Sequence, residues 1–471
     1  MARERWFFAV ALVLLSADLS LAFFQYYTTP MDGDMAAGIL PNWDVQMIFD
    51  DPFGVGVILG GEGHPNPNRV VAHWTFMEYY QNAPIVLQSF VDPISSVYLA
   101  SAIAKLVCHL AFIVLITLVA LPGAQRSMRN VLLSMALLSP LVQFKGFNWS
   151  MGLVANSPAY LFFYAIPCIW LFAAVLGFRS LLRGGTARWR VLLLWASCVL
   201  LPFSGPLVPG LILVLAAAFV VHRWLVAGTG IGTLSRTALS MLAATALLSA
   251  YSLYLGTFNT TYEEGIPTIW ERYSRLPAGI VDVMEENIGL PLLLFAIVVN
   301  TALLWSAYGS NGRRLLRWHG ALLLVVLLYI VLIPLGGWRP YRDNLLRSDT
   351  LVPVTFLLMC VVASGCWAVQ QQRAPWRWVH LTAVLAGVAV FVNADLCFEV
   401  QNACERRSLE VIRAADGPEA LLTERCGVMS WDEGTPGEAG SELNARLLEV
   451  WRITDRYRTY KYGEELTAGS P

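Results

Sequence analysis

Two carboxylates separated by a single glycine, Asp32 and Asp34, follow Pro30 and Met31 just beyond an apolar run that ends at Phe24. An Asp with an ordinary pKa of about 4 is ionised at neutral pH, so it can deprotonate a hydroxyl or bind a cation. Asp-Gly after a proline is also common turn chemistry. Position adds weight to the chemical reading, because a rigid membrane helix would hold these acids on a short leash. The surrounding stretch, 25–94, adds Asp44, Asp50, Asp51, Glu62, Glu78 and Asp92 against one base, Arg69.

Other polar groups can act beside them. Glu62-Gly63-His64-Pro65-Asn66-Pro67-Asn68-Arg69 is stiffened by two prolines and can present Glu62, His64 or Arg69 to a ligand, or it can be a plain surface loop. Asp18 and Lys105 fall inside apolar runs, where charge is costly and commonly functional, and they are expected to pair. Lys105 can also reach toward a lipid phosphate. His109 reads as a satisfied core histidine. His64 and His73 match no zinc-ligand spacing.

The elements that must position these groups are membrane helices. The 471-residue chain is 56% hydrophobic and 14% charged, with mean hydropathy +0.56, far more apolar than soluble domains. At about 20 residues per crossing, eleven spans are expected: 6–24, 96–121, 131–142, 158–178, 191–203, 207–221, 238–258, 290–308, 321–335, 351–369 and 379–392. The third, fifth and sixth are short, and Pro202 to Pro206 can turn a re-entrant hairpin. The first span begins like a signal peptide, yet its apolar run continues through Phe23 and Phe24, so it is read as a helix.

With the N-terminus cytoplasmic, the inner segments hold Arg3, Arg5, Arg126, Arg129, Arg179, Arg183, Arg188, Arg190, Arg223, Arg236, Arg313, Arg314, Arg317, Arg373 and Arg377 against Glu4. The acid-rich loop and the C-terminus are then extracytoplasmic on an inner or plasma membrane. Apolar periodicity at Asn42 to Phe49 and Val70 to Gln81 predicts helices lying at the interface. The organisation is a transmembrane domain, 1–394, and a small, mainly helical tail, 395–471, packed on the outer loops. Cys426 is expected to bond Cys397 or Cys404; the latter two are too far apart on a helix to bond each other.

An acidic motif just after the first helix, surface helices behind it, about a dozen spans and a soluble outer tail resemble the GT-C superfamily of membrane glycosyltransferases. The resemblance covers the layout of 1–394, and its one specific motif is Asp32-Gly33-Asp34. It implies an all-α polytopic enzyme that moves a sugar from a polyprenyl-phosphate or polyprenyl-diphosphate carrier to a lipid, glycan or protein acceptor in the cell envelope. Single displacement would invert the anomeric carbon. Asp34 is the favoured catalytic residue and Asp32 the second; Asp50-Asp51 stands where some members have another acidic site. Asp32 or Asp34 would hold magnesium or manganese if a cation is used.

A lipid phosphate also needs cations, and the segment 336–349 supplies Arg339, Arg342 and Arg347 on the side otherwise poor in bases. Guanidinium forks match phosphate oxygens, although these arginines can equally pair with Asp343 or Asp349. Phosphate-binding glycine loops and nucleophile elbows are absent from the sequence, and nothing suggests nucleic-acid binding. Two other readings are a lipid or solute transporter with Asp18, Lys105 and His109 along its pathway, and a membrane assembly protein that binds partners through its tail.

Overall fold

The computed structural model describes residues 2–40, 43–143, 146–147, 151–184, 186–226, 228–261, 266–285, 288–307, 310–338, 342, 344–372, 376–393, 398–431 and 438–463. The chain opens with α1 (Ala2–Tyr27), followed by α2 (Met35–Ile39), α3 (Trp43–Asp50), α4 (Val55–Gly60) and α5 (Val70–Leu87) in the first loop. Next come α6 (Pro93–Ala120), α7 (Met128–Val142) and α8 (Pro158–Tyr160), which runs through a π-helical turn, Leu161–Ala165, into α9 (Ile166–Leu182). Then follow α10 (Arg188–Leu200), α11 (Val208–Val221), α12 (Arg236–Leu255), α13 (Ile269–Ser274), α14 (Leu276–Glu285), α15 (Gly289–Ala307), α16 (Ser310–Leu332), α17 (Val352–Gln370) and α18 (Arg377–Asn393). The tail contains α19 (Glu399–Ala414), β1 (Glu419–Leu422), α20 (Glu438–Val450) and β2 (Thr459–Tyr462).

Among the described residues, eight helices are long and apolar enough to cross a membrane: α1, α6, the α8–α9 rod, α11, α12, α15, α16 and α17. Eleven were expected. The other three are α7, α10 and α18, of 15, 13 and 17 residues; at 1.5 Å per residue they reach about 22, 20 and 26 Å, short of a core of about 30 Å.

The most apolar window of α17 is 72% buried within the protein and that of α6 56%, against 17% for α1. Thus α6 and α17 form the centre of the bundle, and α1 presents most of its side chains outward. Around α6 pack α1, α5, α7 and α17. Its start is fixed locally: the Asp92 carboxylate accepts from the Ile94 and Ser95 N–H groups at 3.0 and 3.1 Å, and Pro93 begins the helix.

The π-turn lets another backbone come close. A Cβ on Gly205 would lie 2.6 Å from the Phe163 carbonyl oxygen, so only glycine fits that crossing. The break at Pro202 to Pro206 is met by protein, since the Ser252 hydroxyl donates to the Pro202 carbonyl at 2.6 Å.

The tail is less purely helical than its charge pattern suggests. Strands β1 and β2 pair in parallel, with Glu419 opposite Thr459, and α20 packs on β2. A Cys404–Cys426 disulfide ties α19 to the segment after β1, one of the two expected pairings; Cys397 lies outside the described residues. Docking on the first loop and α6 is direct: the Trp451 indole donates to the Tyr80 carbonyl in α5 at 2.8 Å, and Arg406 lies 3.8 Å over the Tyr98 ring in α6.

Candidate functional site

The motif folds around Asp32. One carboxylate oxygen accepts from the Asp34 backbone N–H at 2.8 Å, the turn expected of Asp-Gly-Asp, and the other accepts from the Ser157 hydroxyl. Asp32 is 5% exposed. Burial raises its pKa to about 6; the Asp34 charge pushes the same way, and the Ser157 hydrogen bond opposes both. Asp34 begins α2 with its side chain exposed, and among the described residues that carboxylate has no hydrogen-bond partner.

Ser157 connects Asp32 to the cations. Its hydroxyl oxygen also accepts from the Tyr160 N–H at 3.2 Å, capping α8. At the end of that turn the Tyr160 hydroxyl accepts from the Arg342 guanidinium at 3.0 Å and lies within electrostatic reach of Asp349 and Asp34. One turn further, the Tyr164 hydroxyl donates to Asp349 at 3.2 Å, and the other Asp349 oxygen accepts from Arg347 at 2.5 Å. Lys105 enters from α6, donates to the Asn156 carbonyl and feels the Asp32 charge. Residues 156–164 therefore bring acids from the first loop to within a few side chains of Arg342, Arg347 and Lys105.

No family model, curated protein or solved structure matches the chain.

The tail supplies two contacts that the sequence did not reveal. Glu405 is buried and accepts from the Met31 N–H at 3.0 Å, the Met429 N–H at 2.9 Å and the Tyr98 hydroxyl at 2.7 Å. Burial raises its pKa to about 7 against those three hydrogen bonds and the charge of Arg406. Trp431, just past Met429, covers the motif: a Cβ on Gly33 would meet the indole Cδ1 at 2.8 Å. Its ring lies 5.7 Å from that of Tyr160, tilted by 32°. In sequence Glu405 looks like one of many acids at helical spacing, and Ser157-Pro158 like an ordinary helix start; the aromatic pair Tyr160/Tyr164 on one helix face was the available signal.

Several candidates fall elsewhere. Arg339 and Asp343 lie outside the described residues. Lys105 meets the Asn156 carbonyl and the field of Asp32, not Asp18 as expected. Asp51 accepts from the Val57 N–H at 3.0 Å and Asp50 from Gln46 at 2.7 Å. These acids bind the local turns of α3 and α4, beside a second small core of Ile48, Val57, Val70, Phe203 and Leu255. Glu62 is exposed.

His64 is buried with its neighbours strapped to the end of α12: Thr260 N–H donates to the His64 carbonyl, Asn66 N–H to Asn259 at 2.9 Å, and Asn68 to the Ser252 carbonyl at 2.9 Å. Arg69 stands at the N-terminal boundary of α5 and acts electrostatically on buried His73. The stiff segment thus serves as a belt between loop and bundle. His109 is a satisfied core histidine, bonded to Tyr26 at 2.9 Å and Ser139 at 2.8 Å.

The donor set does not fit a divalent cation shared by Asp32 and Asp34. Among the described residues no third His, Cys, Asp or Glu joins Asp32 and Asp34 in a ligand group, and the Lys105 side chain enters the same neighbourhood. The His/Cys/Asp/Glu group found among the described residues, Cys404, Glu424 and Cys426, has both sulfurs in the disulfide.

Proposed function

We propose that the chain is an integral membrane glycosyltransferase that moves a sugar from a polyprenyl-phosphate or polyprenyl-diphosphate carrier to a hydroxyl acceptor on the extracytoplasmic face. The shorter helices α7, α10 and α18 complete eleven crossings in this reading, some by thinning or tilting at the membrane edge. The inner arginines set the N-terminus in the cytoplasm. The observation that carries the proposal is the single turn Ser157–Tyr160, which bonds Asp32 at one end and Arg342 at the other.

Asp34 takes the proton from the acceptor hydroxyl, whose oxygen bonds to the anomeric carbon. The bond from that carbon to the carrier phosphate oxygen breaks, and its electron pair leaves with the phosphate, with inversion. Arg342, Arg347 and Lys105 offset the charge that develops there. Asp32 is a positioning residue, since its carboxylate is committed to the Asp34 backbone and Ser157. The transporter reading draws less support, because His109 is bonded to α1 and α7 while Lys105 is bonded to the loop before α8, so the two do not share one path.

The test is product formation by full-length protein in lipid nanodiscs, given a panel of labelled polyprenyl-phosphate sugars and envelope glycolipid acceptors. Transfer with inverted anomeric configuration supports the proposal. Active transport of a lipid or solute without any transfer overturns it.

A further inference from the structure

We propose that Trp431 and Tyr160 form a carbohydrate subsite, so that the acceptor is itself a glycan whose sugar ring stacks on Trp431 and presents a hydroxyl to Asp34. The choice of a sugar rests on the glycosyltransferase reading; the subsite rests on geometry. Trp431 is 51% exposed although it is in contact with the motif. One part of the indole is fixed by the Tyr160 ring and by Gly33, and half its surface stays open.

An exposed indole beside an exposed carboxylate is what a pyranose or furanose needs: an aromatic surface for its apolar C–H face and a charge for its hydroxyl edges. A lipid-facing anchor has no reason to sit over the glycine between two acids. Gly33 fits because any side chain there would displace the indole. Placement on the acid side of the cluster assigns the ring to the acceptor, while Arg342, behind Tyr160, belongs to the phosphate side.

The position of Trp431 is also built rather than incidental. Glu405 holds the Met31 and Met429 N–H groups with its two oxygens, so the backbone before the motif and the backbone before Trp431 are set by one side chain. The Cys404–Cys426 bridge, three residues before Met429, closes the same unit. The tail thereby shapes the acceptor side, and through the Tyr160 ring it adjoins the residue that Arg342 holds.

The experiment is saturation-transfer-difference NMR on full-length protein in nanodiscs, with methyl pyranosides and methyl furanosides as probes, for wild type, D34N, W431A and W431F. Thermal melts check that each variant is folded. Expected is saturation transfer to ring C–H protons in wild type, weaker in D34N where the hydroxyl loses its charged partner, weakening of affinity by about tenfold in W431A, about 1.4 kcal/mol, and recovery in W431F. Equal binding by W431A and wild type overturns the subsite, as does transfer to a polyprenyl phosphate but to no glycoside. Glycoside binding through Trp431 in a protein that transfers no sugar would keep the subsite and remove the enzymatic reading, so the two failures are distinguishable.

Discussion

Glu405 accepts a hydrogen bond from the backbone N–H of Met31, the residue before Asp32, across a sequence separation of 374. The last domain of the chain therefore fixes the first motif after the first helix. Removing residues 395–471 would strip away Glu405 and Trp431 together, so such a truncation is expected to abolish any activity of the site. Loss of function on truncation does not separate an enzyme from an assembly protein.

The stability contributed by buried Glu405 and Asp32 should fall as pH rises. The pKa of Glu405 is raised from 4.5 to about 7, mainly by burial; its contribution is fully present below the unfolded value and lost as pH passes about 7. Asp32, raised from 3.8 to about 6 by burial, behaves likewise in the window below. For Glu405 the linkage is on the order of 3 kcal/mol. The thermal midpoint of wild type relative to E405Q should drop as pH rises from about 5 to about 8, and relative to D32N in the window below, while buried His73, whose pKa burial lowers to about 3, works the opposite way in all three proteins and cancels in the comparison. A difference between wild type and E405Q that stays constant across neutral pH would contradict this.

Replacing Ser157 by alanine removes the hydroxyl donor to Asp32 and the cap of α8 at once. A cost of about 1–2 kcal/mol in stability is expected from the cap alone. Transfer should fall further than stability accounts for, because the turn that aims Asp34 loosens. Denaturation and kinetics on S157A and S157T separate the two effects, with threonine restoring both.

Arg342 should act on the carrier side. R342A is expected to raise KM for the polyprenyl-phosphate sugar by about tenfold or more, since a charge-assisted contact is worth about 1.5–3 kcal/mol. R342K should recover only part, because lysine lacks the paired fork. KM for the acceptor should change less than KM for the donor in both, since Arg342 also holds the Tyr160 hydroxyl beside Trp431. An acceptor effect as large as the donor effect would move Arg342 out of this role.

Loss of the Cys404–Cys426 bridge by C404S/C426S should destabilise the tail by about 2–4 kcal/mol. Non-reducing peptide mass spectrometry on wild type should recover the two cysteines linked.

The membrane class was legible from composition alone, and the eight long spans from runs of apolar residues. Span number was not, because α7, α10 and α18 are apolar but short, and hydropathy does not measure length across a bilayer. Asp32 and Arg342 stood out because each departs from its surroundings: an acid tied to a helix end, a base on the side poor in bases. Ser157, Glu405 and Trp431 did not, since their roles come from contacts with distant parts of the chain and leave no local pattern. Asp50, Asp51 and the His64 to Arg69 segment drew attention by residue type, yet they serve turns and a belt to α12.

The most direct measurement is single-turnover sugar transfer by D34N from a polyprenyl-phosphate sugar to which wild type and variant bind equally. Removal of a general base predicts a fall in rate of about 10²- to 10⁴-fold with donor binding intact. A D34N rate within about twofold of wild type would contradict the account.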